Sequence, residues 1–401
     1  MATQRDHEVV VVGARVAGAA TAMLLARRGV RVALVDRGRY GADTLSTHAL
    51  MRGGVLLLSR WGLIDQLVAA GTPPVRLTRF DYGDEEVTVA IKPVPGVDAL
   101  YAPRRSLLDR VLVDAAVAAG VDVRFGVTIA DLLRDDTGRV AGVHGRDRDG
   151  EPVTIRARLV VGADGIRSTV ARAAGAATVH IGGSAGAVSY GYWRGLPACG
   201  YEWFYRPRHS AGIIPTNDEQ ACVFAGTPAN LLTSADRADL RGTYHRLLAA
   251  ATDGAGGRLR AAEPPTRLHT WVGQRGFIRH AHGAGWVLVG DAASYLDPLS
   301  THGITDALRD AELLAARLTP GATAGDIDAL LDEFARTRDP VVRALLRVVD
   351  RIASYSWDGA AVRRHLLELS AAMGTELDLL QTVQPPSLLE IDASHPLTGR
   401  R

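Results

Sequence analysis

The first clear pattern in the chain is a run of apolar positions from Val9 to Val12, entered from Glu8. It lacks the apolar–polar alternation of a half-exposed strand, so it predicts a parallel strand covered on both faces. The turn Gly13-Ala-Arg-Val-Ala-Gly18 follows, then good helix formers from Ala17 to Arg28, with Gly29 as the stop. Arg31 to Val35 reads as a second strand and Asp36 closes the unit.

Beyond it, 37–47 is a polar loop containing Asp43-Thr-Leu-Ser-Thr-His48, and 54–70 is helical up to Gly71 and Pro73-Pro74. Residues 75–99 alternate as strands and turns. An amphipathic helix begins at Arg104-Arg105 and ends at Gly120, and 121–125 and 159–161 are strands. From 190 to 225 the chain is rich in aromatic and β-branched residues, as in an antiparallel sheet. Residues 234–251 are helical, and Asp253-Gly-Ala-Gly-Gly257 with Pro264-Pro265 reads as a linker. Trp286 to Ala293 is a buried strand running into a helix. Helices fill the chain from Ile304 on, with Asp339-Pro340 expected as an N-cap and first helical proline. The fold class is therefore α/β: a Rossmann-like nucleotide domain with an inserted β-sheet domain and C-terminal helices. The expected nucleotide segments are 1–75, 100–180 and 268–330, the inserted sheet is 76–99 and 181–267, and the helical region is 331–401.

Composition narrows this only slightly. The chain has 401 residues, enough for about two domains with a real core. Its 46 basic and 44 acidic residues leave a net charge of +2, which favours neither nucleic acid nor an anionic membrane surface. Two cysteines, Cys199 and Cys222, are too few for a disulfide framework or a metal quartet. No apolar run approaches the ~18 residues of a membrane span, and the first strand starts too early for a signal peptide. A cytoplasmic monomer or homodimer without metal is expected.

The opening unit carries the candidate chemistry. Gly13 and Gly18 flank a turn at a helix N-terminus, where amide donors and the helix dipole favour a pyrophosphate. The acid Asp36 follows Gly13 by 23 residues, the usual distance for a ribose-hydroxyl acceptor. Arg15 occupies the middle position of G-x-G-x-x-G, normally glycine; it costs room beside the phosphates but offers a guanidinium. Val16, Ala17 and Arg37 complete the expected contacts. Asp36 would repel a 2′-phosphate, so the tightly bound ligand is FAD or NAD rather than NADP.

Two further segments give this unit a context. Gly162-Ala-Asp-Gly-Ile-Arg-Ser168, with Arg172 one residue later than is usual, is like a D-G-x-x-S motif. Gly290-Asp-Ala-Ala293, with Pro298 and Gly303-Ile304, is like a G-D-A-A…P…G-x-G segment, and Arg105 with Leu108 fits an R-x-x-L helix start. Over roughly residues 8–320 the chain resembles the para-hydroxybenzoate hydroxylase-like superfamily of FAD enzymes. The resemblance implies a discontinuous FAD-binding domain of the glutathione reductase type, with Arg105 along the cofactor. Asp291 would accept from the ribityl hydroxyls, and Gly303-Ile304 would present helix amides to the isoalloxazine. Asp164 lies behind the cofactor, and Val127 offers backbone to adenine.

His48 and His302 are the candidate catalytic histidines, each weighed against plain packing. Tyr190, Tyr192, Trp203, Tyr205 and Pro215 are candidates for the substrate wall. No second strand–glycine-turn–helix unit exists, so NADH or NADPH binds only transiently. The resemblance implies a monooxygenase of secondary metabolism. It would use NAD(P)H and O2 to hydroxylate or epoxidise a small aromatic or polyketide-like substrate through a flavin C4a-hydroperoxide. An alkene reductase of the geranylgeranyl reductase-like type is the alternative, since Tyr201-Glu-Trp-Phe-Tyr-Arg-Pro207 is close to the reductases' Y-x-W-x-F-P motif. A flavin halogenase fits less well: the only lysine is Lys92, and the W-x-W-x-I-P motif is absent. A non-catalytic flavoprotein would bind FAD without oxidising NAD(P)H.

Overall fold

The computed structural model describes residues 7–252 and 256–383. Its centre is a six-stranded sheet. From one edge to the other the strands are His282–Gly283, Trp286–Leu288, Leu159–Gly162, Val9–Val12, Val32–Asp36 and Asp122–Phe125. All neighbours are parallel except the first pair, a hairpin. Val9–Val12 and Leu159–Gly162 are buried at every position, as strands covered on both faces must be. The helix Val16–Arg27 packs on one face, with ten buried residues from Val16 to Leu25 and small alanines that allow close approach to the helix Gly303–Ala315.

A seven-stranded mixed sheet forms the second layer: His269–Trp271, Gly186–Arg194, Gln220–Pro228, His209–Thr216, Tyr201–Arg206, Leu77–Asp81 and Glu86–Ala90. Its parallel contact joins Tyr201–Arg206 to Leu77–Asp81, which ties the two inserted segments together. Its faces differ. Tyr190, Trp203, Tyr205, Ile214, Cys222 and Phe224 belong to the large core shared with the parallel-sheet layer. Trp193, Phe204, Ile213 and Val223 pack instead beneath the helix Leu240–Ala251. There the Tyr244 hydroxyl receives the Trp193 indole N–H at 2.8 Å and donates to the Val223 carbonyl at 3.1 Å.

Several expectations need correction. The expected helix over 54–70 is two helices, Arg52–Arg60 and Ile64–Ala69, broken at Gly62. Residues 128–156 form an unanticipated antiparallel sheet of Thr128–Arg134, Val140–Arg146 and Pro152–Arg156. Gly256 and Gly257 open the short helix Gly256–Ala261, and the rest of that expected linker, 253–255, lies outside the described residues. After Trp286–Leu288 the chain makes only a 3₁₀ turn, Gly290–Ala292, and then the strand Ser294–Tyr295. His269–Trp271 pairs with Gly186–Arg194, so it joins the mixed sheet rather than the nucleotide segment.

Pro340 does not start a helix. It lies inside the 30-residue helix Ala324–Ala353, whose stripe Ile327, Leu331, Phe334, Val342, Leu345, Val349 and Ile352 is buried throughout. That burial offsets the backbone hydrogen bond a mid-helix proline removes. The helix starts instead at Thr323, whose hydroxyl forms a reciprocal cap with Asp326. Among the described residues, no helix is long and apolar enough to cross a membrane.

Candidate active site

The carboxyl ends of four adjacent parallel strands bring the first group of residues together, at the edge where open α/β sheets bind ligands. Gly13 has φ +105°, and a Cβ there would lie 2.4 Å from the Ala163 carbonyl oxygen. A Cβ on Gly18 would lie 1.7 Å from the Gly13 carbonyl oxygen. Only glycine therefore lets the turn fold against Ala163-Asp164 and start the helix Val16–Arg27. No side chain caps that helix N-terminus, and its first-turn amides remain donors for an anion. Asp36 reaches across the turn, accepting from the Ala14 amide at 2.7 Å and the Gly38 amide at 2.5 Å. Val127 gives its amide to the Asp36 carbonyl, so only its carbonyl is left for a ligand. Arg37 is exposed.

Arg15 is not free above the turn. Its guanidinium lies on Asp109 at 2.9 Å and on the Ala42 carbonyl. Asp109, 3% exposed, also holds Arg105 at 3.0 Å. Arg15 thus ties the 37–47 loop and the helix Arg105–Ala118 to the glycine turn. Asp164 spends its carboxylate on Ser168 and on the amides of Thr169 (2.6 Å) and Val170 (3.2 Å), where it caps the helix Thr169–Ala174.

Asp291 approaches from the other side. Gly290 has φ +57°, and a Cβ on it would come 2.9 Å from Ala17 Cβ, so this strand end packs directly on the first helix. The Asp291 carboxylate is half-buried and makes no hydrogen bond among the described residues. Burial, helped by Asp306 and opposed by Arg105, pushes its pKa up to about 7. Further on, Pro298 opens a 3₁₀ turn held by Asp297, which accepts from the Leu299 and Gly186 amides at 3.0 and 2.6 Å. Thr301, at φ +51°, redirects the chain into the helix Gly303–Ala315. No side chain caps that helix, and a Cβ on Gly303 would meet nothing within 4 Å, while Ile304 is buried. An unpartnered, half-buried carboxylate, a turn with room only for backbone and two uncapped helix N-termini form a donor and acceptor set that fits FAD.

The second group lies on the core-facing side of the mixed sheet. His48, 1% exposed and at φ +70°, shares a 2.5 Å hydrogen bond from Nε2 with the Tyr192 hydroxyl and stacks on that ring. Tyr190 accepts from the Ser46 amide at 3.0 Å and stacks on His269, centroids 4.9 Å apart. Arg104 lies with its guanidinium carbon 3.2 Å from the Tyr192 ring centroid. Burial, with Arg104 and Arg105 close by, holds the His48 pKa well below the usual histidine value, so the ring is neutral. Burial also pushes the Tyr190 hydroxyl and the Cys222 thiol up to about 12.

His48, Tyr190 and Tyr192 therefore come together, and the other expected residues do not. Trp203 shares their sheet face but packs between Tyr201 and Phe224; Tyr205 packs against Tyr82 and Trp357. Pro215 pairs with Ala221 and points with Ile213 and Ala221 to the opposite face, which removes it from the substrate wall. His302 is also corrected as a catalytic candidate. Its Nε2 lies 2.6 Å from Glu376 of the helix Gly359–Thr382, inside a buried ion network. Arg309 sits on Asp306, Asp310 (2.8 Å) and Glu376 (2.7 Å), and Arg338 on Asp310 (3.0 Å). His302, Asp306 and Glu376 have metal-ligand spacing, but Arg309 already supplies the positive charge among them. Arg104 and His269 escaped the sequence reading. Their only signals were a doubled arginine at a helix start and a histidine on a short strand.

An FAD binding domain family matches residues 6–349, and the chain belongs to that family of flavin-dependent oxidoreductases. It is 28% identical to a menaquinone reductase of Mycolicibacterium smegmatis, over 78% of this chain and 76% of that protein. It is also 28% identical to a putative polyketide hydroxylase of Streptomyces halstedii over 88% of this chain, but it spans only 66% of that protein's length. The flavin-dependent brominase Bmp2 superposes with a TM-score of 0.76 at 17% identity, covering 95% and 96% of the two chains, a likeness of fold.

Proposed function

We propose that this chain is an FAD-dependent monooxygenase acting on a ring hydroxyl-bearing aromatic or polyketide-like substrate, with NADH or NADPH as a transient reductant. The observation that carries the reading is the buried, neutral His48 hydrogen-bonded to Tyr192 on an aromatic face beside Arg104 and His269. The putative polyketide hydroxylase relative supports it.

In this reading Gly13, Gly18, Asp36 and the first helix hold the dinucleotide end of FAD. Asp291, Arg105 and the helix at Gly303 hold its ribityl and ring end. When bound, FAD supplies the redox and oxygen chemistry. The protein's own residues then act on the substrate. Tyr190 and Tyr192, stacked on His269 and His48, present aromatic edges and hydroxyls, and the closed core behind them excludes water. His48 accepts from or donates to the Tyr192 hydroxyl and fixes its direction, so a substrate hydroxyl meeting Tyr192 exchanges its proton along a set path. Lys92 is exposed, in the loop after Glu86–Ala90, which argues against halogenation, a reaction that needs a lysine between flavin and substrate.

Turnover with NADPH or NADH under 18O2, with hydroxylated aromatic polyketides as substrates, is expected to place one labelled oxygen in the product. Product formed anaerobically with reduced flavin would overturn this in favour of the second reading, an alkene reductase. The menaquinone reductase relative favours that alternative.

A further inference from the structure

Arg104 carries a charge that the fold has not answered. Its backbone is firmly held: the Arg104 amide donates to Asn217 Oδ1 at 3.0 Å, and the Asn217 side-chain amide donates to the Ala70 carbonyl and the Thr72 hydroxyl, both at 3.0 Å. One terminal nitrogen donates to the neutral Gln220 side chain. Nε is buried and has no partner. No carboxylate pairs with Arg104 among the described residues, whereas its neighbour Arg105 lies on Asp109, and the fully buried Arg309 and Arg338 each lie on acids. A half-buried guanidinium without a counter-ion is costly, and stacking on Tyr192 compensates only part of that cost.

The groups around it point the same way. His48, Tyr190, Tyr192, Cys222 and His269 face the same patch, all of them uncharged near neutral pH; burial comes first in lowering the pKa of His48 and His269, and the Arg104 charge lowers both further. Arg105 and Arg267 add positive charge. Among the described residues, the acid whose charge reaches Tyr190, Tyr192 and His269 is Asp43, which is exposed and accepts from the Thr44 amide. His48 Nδ1, like Arg104 Nε, is buried without a partner. We infer that the substrate binds this patch as an oxyanion, either a carboxylate or an ionised ring hydroxyl, received by Arg104, with its ring beside the edges of Tyr190 and Tyr192.

This deepens the proposed monooxygenase function and rests on it. A further consequence follows for His48: burial is the first cause of its low pKa and the Arg104 charge the next, so an anion on Arg104 offsets the second cause and raises the basicity of the imidazole in the filled site. Arg104 would then be both the specificity determinant and a control on the histidine beside it.

The test uses FAD-loaded protein and three probes: 1-naphthoate, its uncharged analogue 1-naphthamide, and 2-naphthol, followed by calorimetry from pH 6 to 10. Either naphthoate binds at least tenfold tighter than naphthamide, or naphthol tightens as pH passes its own pKa. The first outcome identifies a carboxylate site and the second a phenolate site. In both cases Arg104→Gln is expected to abolish the preference with flavin content unchanged, and Arg104→Lys to restore part of it. No charge preference in either arm, no binding of any probe, or a preference that survives Arg104→Gln overturns the inference. Because loaded flavin is measured before any probe is added, and labelled oxygen separately, failure here is distinct from failure of the monooxygenase reading.

Discussion

Replacing Asp291 with asparagine should make the FAD-free protein more stable and the FAD complex weaker. The carboxylate is half-buried without a hydrogen-bond partner, and its pKa stands at about 7 against 3.8 in a solvated chain. That difference corresponds to on the order of 4 kcal/mol. The sign follows from proton binding. Between pH 4 and 7 the native carboxyl keeps a proton that the unfolded chain has released, so this group's contribution falls as pH rises and is fully unfavourable above about pH 7. Asp291→Asn removes that penalty. Urea denaturation of stripped proteins should show little difference at pH 4 and a gain of up to ~4 kcal/mol at pH 8. Fluorescence titration should show the opposite for cofactor. Losing a charged acceptor of hydroxyl donors costs ~1.5–3 kcal/mol, or about 10–100-fold in FAD affinity. A variant no more stable at pH 8 than the parent, or one that holds FAD equally well, refutes the assignment.

Three other substitutions probe the surrounding structure. Gly18→Ala drives a methyl into the Gly13 carbonyl oxygen and should lower stability by about 1–3 kcal/mol and strip the flavin; a yellow variant with unchanged melting would contradict the tight turn. Glu376→Gln removes the carboxylate that His302 touches and one of the three on the buried Arg309, and should cost about 1–3 kcal/mol in chemical denaturation; no measurable loss would show the contact to be incidental. Arg15→Ala should weaken FAD retention several-fold by releasing the 37–47 loop, with less than about 1 kcal/mol of global destabilisation because the ion pair is partly exposed. Unchanged flavin affinity would detach Arg15 from the cofactor.

Much of the nucleotide half was legible because its signals are local. Four consecutive valines need burial on both faces, and glycines at 13 and 18 mark a turn whose tightness the geometry bears out. The missing elements are those in which distant contacts decide. The strand Thr128–Arg134 breaks its alternation at a bulge between Ile129 and Asp131, so its two-residue period is hidden. Pro340 reads locally as a helix start, yet a buried stripe carries one helix straight through it. Tyr190, Tyr192 and Pro215 all sit in strands, but which face each occupies depends on pairing register. Pairing puts Cys222 opposite Tyr192 and Ala221 opposite Pro215, on opposite faces. His302 meets Glu376 across 74 residues, a contact no local pattern announces. Arg104 was visible as a residue but not as a charge without a partner, because that property belongs to the assembled site.

Turns at the ends of four strands are proposed to form one FAD site. Its most direct test is titration of the stripped protein with FAD and with FMN, read by flavin absorbance and fluorescence. One FAD per chain is expected, with FMN bound far more weakly because it lacks the dinucleotide portion that Gly13, Gly18 and Asp36 are proposed to receive. A protein that stays colourless with FAD, or that takes FMN as readily, would contradict it.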